Sequence, residues 1–178
     1  MSSQKRLHIP VLLNDVLENV SSITPRDGVF VDATFGRGGH SLEILKANPD
    51  LRILGLDCDL EAIHYGEQNF AAEIQSGRLQ LKHGNFSDFE SVVGQQRIIG
   101  FLLDLGVSSP QLDEGRRGFS FYHDGPLDMR MNTAQEFTAA DIINEWDEDG
   151  LNELFKKYGE ISRPYRVTER IVSARKQK

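Results

Sequence analysis

The stretch Asp32-Ala-Thr-Phe-Gly36-Arg-Gly38-Gly39-His40 follows directly on the apolar run Val29-Phe30-Val31 and leads into a helical pattern. A glycine turn at such a corner lets the backbone approach a ligand with no Cβ in the way, and the free N–H groups of the following helix favour an anion. Gly36, Gly38, Gly39 and His40 are therefore read as a site for a nucleotide-like or carboxylate-bearing molecule; a tight corner with no ligand is the plain alternative. Two carboxylates select among ligands. Asp32 ends its strand, where open α/β sheets bind their ligands, and would repel a pyrophosphate but attract the ammonium of a methionine moiety. Asp57 follows Gly36 by roughly 20 positions, the spacing at which an acid accepts hydrogen bonds from ribose hydroxyls, with Asp59 as the fallback. The dinucleotide pattern G-x-G-x-x-G is only partly met, because Ser41 stands at its third glycine. These features favour S-adenosyl-L-methionine over NAD.

Asp104 closes the apolar run Gly100-Phe101-Leu102-Leu103. A carboxylate at the end of a buried strand is costly unless it is hydrogen-bonded or used. Methylation of an exocyclic amine needs an acceptor for the amino hydrogens, so that the nitrogen lone pair turns toward the sulfonium methyl. Asp104 is the candidate catalytic residue; capping of the next loop is the structural alternative. Phe119 and Phe121, beside Arg116 and Arg117, could stack on unpaired bases or pack back on the core. Cys58, the single cysteine, excludes an internal disulfide and a Cys-cluster zinc site, and no metal is expected.

Short apolar runs alternating with amphipathic stretches are the mark of α/β architecture. A leading helix after Pro10 is expected to stop before Thr24-Pro25, and helices are expected after Gly39 and from Glu61 to near Ser76-Gly77. Strands are expected at 29–33, 52–57, 79–83 and 100–104. The third alternates and is read as more exposed; the fourth is the most apolar and is read as central in a parallel sheet. Residues 108–132 read as loop, and Thr138 onward as helices broken near Asp147 and Gly159.

A chain of 178 residues, 39% hydrophobic, is long enough for one packed core. No apolar run approaches the roughly 18 residues of a membrane span, and the N-terminal apolar stretch is too short and too interrupted for a signal peptide, so a cytoplasmic location is expected. The net charge of −7 argues against nonspecific coating of nucleic acid. Residues 156–178 depart from that average: Lys156, Lys157, Arg163, Arg166, Arg170, Arg175, Lys176 and Lys178 stand against only Glu160 and Glu169. The patch is either a solvated helix face or a surface for an anionic polymer.

Seven collinear motifs, His8-Ile-Pro10-Val-Leu-Leu, Asp32 to Ser41, Leu56-Asp57-Cys-Asp59, Asp104 to Asp113, Arg117-Gly-Phe-Ser-Phe121, Asp124-Gly-Pro-Leu-Asp-Met-Arg-Met131 and Tyr158-Gly-Glu160, closely resemble the MraW/RsmH-type ribosomal RNA small subunit (cytosine-N4)-methyltransferases. The resemblance covers essentially the whole chain. It implies a class I Rossmann-like core that uses S-adenosyl-L-methionine, with a helical inserted subdomain, acting on a cytidine N4 in the decoding region of 16S rRNA. The small ribosomal subunit is the implied partner, and a homo-oligomer is compatible with the sequence. Family contacts to the cofactor would fall on Gly38, Gly39, His40, Asp57, Phe86, Asp104 and Gln111, of which Phe86 and Gln111 come from the resemblance alone. Asp128, Met129 and Arg130 match a family block without an assigned role.

Members of the family are longer, and this chain stops inside a helical pattern, so a C-terminally truncated form is expected, with the fourth strand left as an open edge. The expected division is 1–107 cofactor-binding core, 108–135 active-site loop region and 136–178 incomplete helical insertion. A non-catalytic cofactor- or RNA-binding module, and less so an NAD-binding Rossmann protein, are the alternatives.

Overall fold

A computed structural model of the chain describes residues 9–175. Its sheet has four parallel strands, β1 Val29–Asp32, β2 Ile53–Asp57, β3 Leu79–His83 and β4 Ile98–Leu102, in the order β3-β2-β1-β4. Helices α1 Leu13–Ser21, α2 Gly39–Ala47, α3 Leu60–Asn69, α4 Ala71–Gln75 and α5 Phe89–Val93 precede or connect them. Alternation along β1 sends side chains to opposite faces. Phe30 joins Val20, Phe35, Ile44, Leu45, Ile53 and Phe70 on one face, whereas Val29 and Val31 join Leu54 and Val93 on the other. All of β1 is buried, so it holds the middle of the sheet with β2.

The chain steps outward from β1 through β2 to β3 and then crosses back to lay β4 on the other side of β1. Strand order reverses between β1 and β4, and open α/β sheets bind ligands at such a switch point, outside the carboxyl ends of the strands. Asp32 pairs with Gly55 on one side and Leu102 on the other. The loops after β1, β2 and β4 therefore leave the sheet at one edge.

Two sequence expectations are corrected. β4 is not central; it is the open edge that the expected truncation also implied, pairing only with β1 among the described residues, with Phe101 50% and Leu103 49% exposed. Apolar content reports faces that need cover, whereas ladder position follows from the crossovers. The helix expected to run to Ser76 breaks at Phe70, whose backbone leaves the helical region (φ −120°, ψ 36°) so that its ring turns into the core.

That ring meets Phe35 edge-on at 5.9 Å between centroids. Phe35 fills a slot that only missing side chains leave open. A Cβ at Gly38, Gly55 or Gly66 would lie 2.7, 2.6 and 2.6 Å from its ring atoms. Its backbone is fixed as well, the N–H donating to Leu56 O at 3.0 Å and the carbonyl accepting from Gly38 N at 2.7 Å.

The chain divides into two compact units between Gly106 and Val107. The second holds α6 Ser109–Asp113, α7 Ala139–Glu145, α8 Glu148–Lys157 and α9 Tyr165–Arg175. α6 and a 3-10 turn at Gly115–Arg117 lie inside the stretch read as loop. The Asp128-Met129-Arg130 block acquires a structural role here. Buried Arg117 donates to the Arg130 and Met131 carbonyls, both at 3.1 Å, and Met129 N donates back to Arg117 O at 3.0 Å. The Asp128 carboxylate accepts from the Arg130 amide and guanidinium, which holds it down at about 2. Arg175 donates to the Ile143 and Trp146 carbonyls, closing the C-terminal end of α7. Among the described residues no helix is long and apolar enough to cross a membrane. His8, Lys176 and Lys178 lie outside the described residues.

Gly66→Ala separates propensity from packing. On a solvent-facing helix this change stabilises by about 1 kcal/mol. Here the new methyl would stand 2.5 Å from Leu81 and 2.6 Å from Phe35, so overpacking should reverse the sign and cost roughly 1–3 kcal/mol in urea unfolding. A gain in stability would show that the Phe35 slot is loose.

Candidate functional site

The glycine loop is built from β1 outward. Ala33 N donates to Leu102 O at 2.9 Å, and together with the Phe35 bond to Leu56 this ties the chain to both neighbouring strands before it turns. Gly36 (φ +54°) and Gly38 (φ +71°) take left-handed conformations that an L side chain rarely adopts. Gly38 is the N-cap of α2 and brings no side chain to bond the first-turn N–H groups. A helix start of this kind offers donors and partial positive charge to an anion. Gly39 has Pro10 packed over it, since a Cβ there would lie 2.9 Å from the Pro10 ring.

Asp57 gathers the loop from the next strand. Its Oδ2 accepts from Gly36 N at 2.7 Å and its Oδ1 from Asp59 N at 2.8 Å. A carboxylate has about four lone-pair sites, so two remain for hydroxyl donors. Burial pushes the Asp57 carboxyl up, and the two amide bonds oppose this. Asp59, the fallback, is buried and caps α3 by accepting from Glu61 N at 3.1 Å. Gly84 N donates to Asp57 O at 2.9 Å, which brings the 3-10 turn Phe86–Asp88 to the same edge. Phe86 is 46% exposed there and offers an uncovered aromatic face.

Asp32 behaves differently from the sequence expectation of a contact to an ammonium. It is 1% exposed, with Oδ2 accepting from Ser41 Oγ at 2.6 Å and Oδ1 from Thr34 N at 3.3 Å. The carboxyl faces inward because its strand is central, and it fastens the first turn of α2 to the end of β1. So placed, it no longer discriminates a sulfonium cofactor from a dinucleotide.

His40 and Asp104 do come together. His40 Nε2 lies 3.7 Å from Asp104 Oδ2, longer than a hydrogen bond. The imidazole is buried, burial lowers its pKa, and Asp104 opposes that shift. His40 Nδ1 is buried without a hydrogen-bond partner, an unmet polar atom of the kind a ligand would satisfy. The Asp104 side chain is 51% exposed, and its backbone N–H donates to Thr34 Oγ1 at 2.8 Å. Gln111 belongs to the second unit, where its Oε1 accepts from Ser108 N at 2.9 Å in the capping box of α6. Phe121 is 98% and Tyr122 94% exposed, so Phe121 does not pack back on a core.

The sequence pattern contains Pro10, Thr34 and Phe35 but gives no direct sign of their packing and hydrogen-bonding roles at the site. The available signal was the repeated absence of side chains at Gly55, inside a strand, and Gly66, inside a helix, which marks a close approach by something large.

Asp32 makes a measurable prediction. Burial raises its carboxyl from 3.8 to about 6, with Asp57 and Asp104 adding and the Ser41 and Thr34 bonds opposing. The folded chain then holds this proton more tightly than the unfolded chain, so the contribution is fully present below about pH 4 and is lost as pH rises toward about 6. Asp32→Asn removes the titration. Relative to the parent, its stability should rise across that window by on the order of 3 kcal/mol, at about 1.4 kcal/mol per pKa unit. Urea melts at about pH 4 and pH 7 measure it, and a difference that does not change with pH would refute the raised pKa.

The MraW methylase family matches residues 5–178. Ribosomal RNA small subunit methyltransferase H of Bdellovibrio bacteriovorus is 48% identical over 172 residues, covering 96% of this chain and 52% of the relative. The protein of the same name from Crocosphaera subtropica is 48% identical over 169 residues, covering 95% and 52%. That from Legionella pneumophila is 43% identical over 176 residues, covering 96% and 56%. The chain spans about half the length of the curated relatives it matches. A match of this length, running through the glycine loop, Asp57 and Asp104 together, means that the chain belongs to the MraW methylase family.

Proposed function

We propose that this chain carries the cofactor-binding and amine-orienting part of an S-adenosyl-L-methionine-dependent methyltransferase that acts on a cytidine N4 in the decoding region of 16S rRNA within the small ribosomal subunit. The observation that carries the reading is the meeting of His40 with Asp104 across the β1–β4 switch point. A loop suited to hold the cofactor and a carboxylate able to accept amino hydrogens lie side by side, which supports the reading. Residues 1–107 are the cofactor-binding core, 108–135 the active-site loop region and 136–178 a helical insertion.

The residues present fit the cofactor. The first-turn N–H groups of α2 would hold its carboxylate, the remaining lone pairs of Asp57 would accept from the ribose hydroxyls, and Phe86 would lie against the adenine. The unmet Nδ1 of His40 supplies a further polar contact. When bound, the cofactor supplies an electrophilic methyl group on a sulfonium. Asp104 accepts a hydrogen bond from the cytosine amino group and turns the nitrogen lone pair out of conjugation toward that methyl. Transfer of that methyl to the amino nitrogen would break the S–C bond and leave a neutral thioether. The amino proton leaves to Asp104 or to water. Positioning of this kind can supply roughly 7–11 kcal/mol of barrier reduction.

An RNA-binding role for the second unit is favoured by its exposed cations. Arg166 and Arg170 lie one turn apart on α9, with Arg163 just before it, all exposed. Arg175 is engaged with α7 instead.

Calorimetry with S-adenosylhomocysteine tests the cofactor reading. The chain should bind, and Asp57→Ala should weaken binding at least tenfold, about 1.4 kcal/mol. Absence of binding, or thermal protection by NAD instead, would remove the proposal. Replacing Arg163, Arg166 and Arg170 by Glu should abolish retention of 16S RNA while leaving cofactor binding intact; retention that survives the change would end the RNA-surface reading.

A further inference from the structure

We infer that Thr34 is a positioning residue for Asp104. The inference rests on the reading of Asp104 as acceptor of the amino hydrogens, and goes beyond it by naming what holds that carboxylate in place.

Asp104 stands two residues past the end of β4, which is itself an edge strand. Leu103 is 49% and Leu105 69% exposed, so the segment has little packing of its own. Segments with few buried contacts and no ladder bonds open easily. One bond fixes the backbone at the reacting residue: Asp104 N–H donates to Thr34 Oγ1 at 2.8 Å, across 70 residues of sequence. At the other end of Asp104, His40 Nε2 stands 3.7 Å from the carboxylate, beyond hydrogen-bond distance, so it does not replace that bond.

Thr34 is itself held. Its N–H donates to Asp32 Oδ1 at 3.3 Å, and Asp32 Oδ2 accepts from Ser41 Oγ on α2 at 2.6 Å. A continuous line thus runs from the first turn of α2 through Asp32 and Thr34 to the Asp104 backbone. The β-branched side chain suits the task, because it is stiff at χ1 and delivers its oxygen to one place. The same helix turn that would receive the cofactor carboxylate is thereby tied to the carboxylate that would orient the amine. A displacement of about 1 Å at such a group can cost on the order of a hundredfold in rate.

The test compares Thr34→Val, which keeps the shape and removes the acceptor, with Thr34→Ser, which keeps the acceptor. Hydrogen exchange reads the bond directly in the full chain. The Asp104 amide should be protected in the parent and in Thr34→Ser, and should exchange at least ~10-fold faster in Thr34→Val. Single-turnover methyl transfer to unmethylated 30S particles, at saturating S-adenosylmethionine, reads the consequence. Thr34→Val should be slowed roughly 10- to 100-fold with S-adenosylhomocysteine affinity within about threefold, and Thr34→Ser should recover to within about threefold of the parent. In an Asp104→Ala background Thr34→Val should add no further loss, because a residue that acts through Asp104 has nothing left to position. An unprotected Asp104 amide in the parent, a Thr34→Ser variant as slow as Thr34→Val, or losses that multiply in the double variant would each overturn the inference. A parent chain that binds no S-adenosylhomocysteine and transfers no methyl group would instead remove the functional proposal, and the exchange measurement would still decide whether Thr34 holds Asp104.

Discussion

The ring of Phe35, seated where Gly38, Gly55 and Gly66 have no side chains, is the contact on which the site depends. It pins the middle of the glycine loop to β2 and α3, and its backbone bonds run both to Leu56 and to the N-cap of α2. With the ring in place, the left-handed turns at Gly36 and Gly38 fall where Asp57 reaches the Gly36 amide. Packing at one apolar residue therefore sets the placement of the polar groups around it. Close-packed interiors behave this way, because a ring that fits one slot leaves its neighbours little freedom.

Burial then divides the work among three acids of similar sequence context. Asp32, at the end of the central strand, is sealed off and acts as an internal strut between β1 and α2. Asp57 is partly buried, holds two backbone N–H groups and retains capacity for more. Asp104, past the end of an edge strand, keeps half its side chain open. Desolvation falls from the first to the last, and with it rises the freedom of the carboxylate to meet something that arrives from outside. The strand order brings the last two to one edge of the sheet.

The second unit obeys the same logic through arginine. Arg117 is buried and gathers the carbonyls of Arg130 and Met131, while Asp128 clamps Arg130 and its own carbonyl accepts from the start of α7. A charged block that could be taken for reactive groups is a knot that gives a turn-rich segment its shape. Arg163, Arg166 and Arg170, along and just before α9, stand exposed instead.

Much of this was legible in the sequence. Strand and helix periodicity located β1 to β3, the leading helix and the breaks near Asp147 and Gly159; the glycine pattern and the spacing to Asp57 located the loop and its acid. Those signals are local, carried by backbone conformation and by side-chain alternation within a few residues. Which edge β4 occupies, that Phe70 breaks a helix to reach Phe35, that Asp32 faces inward, and that Thr34 grips Asp104 across 70 residues were decided only by the tertiary structure. Each depends on which distant segment fills the space beside a residue, and burial and hydrogen-bond partnership are properties of that neighbour as much as of the residue itself.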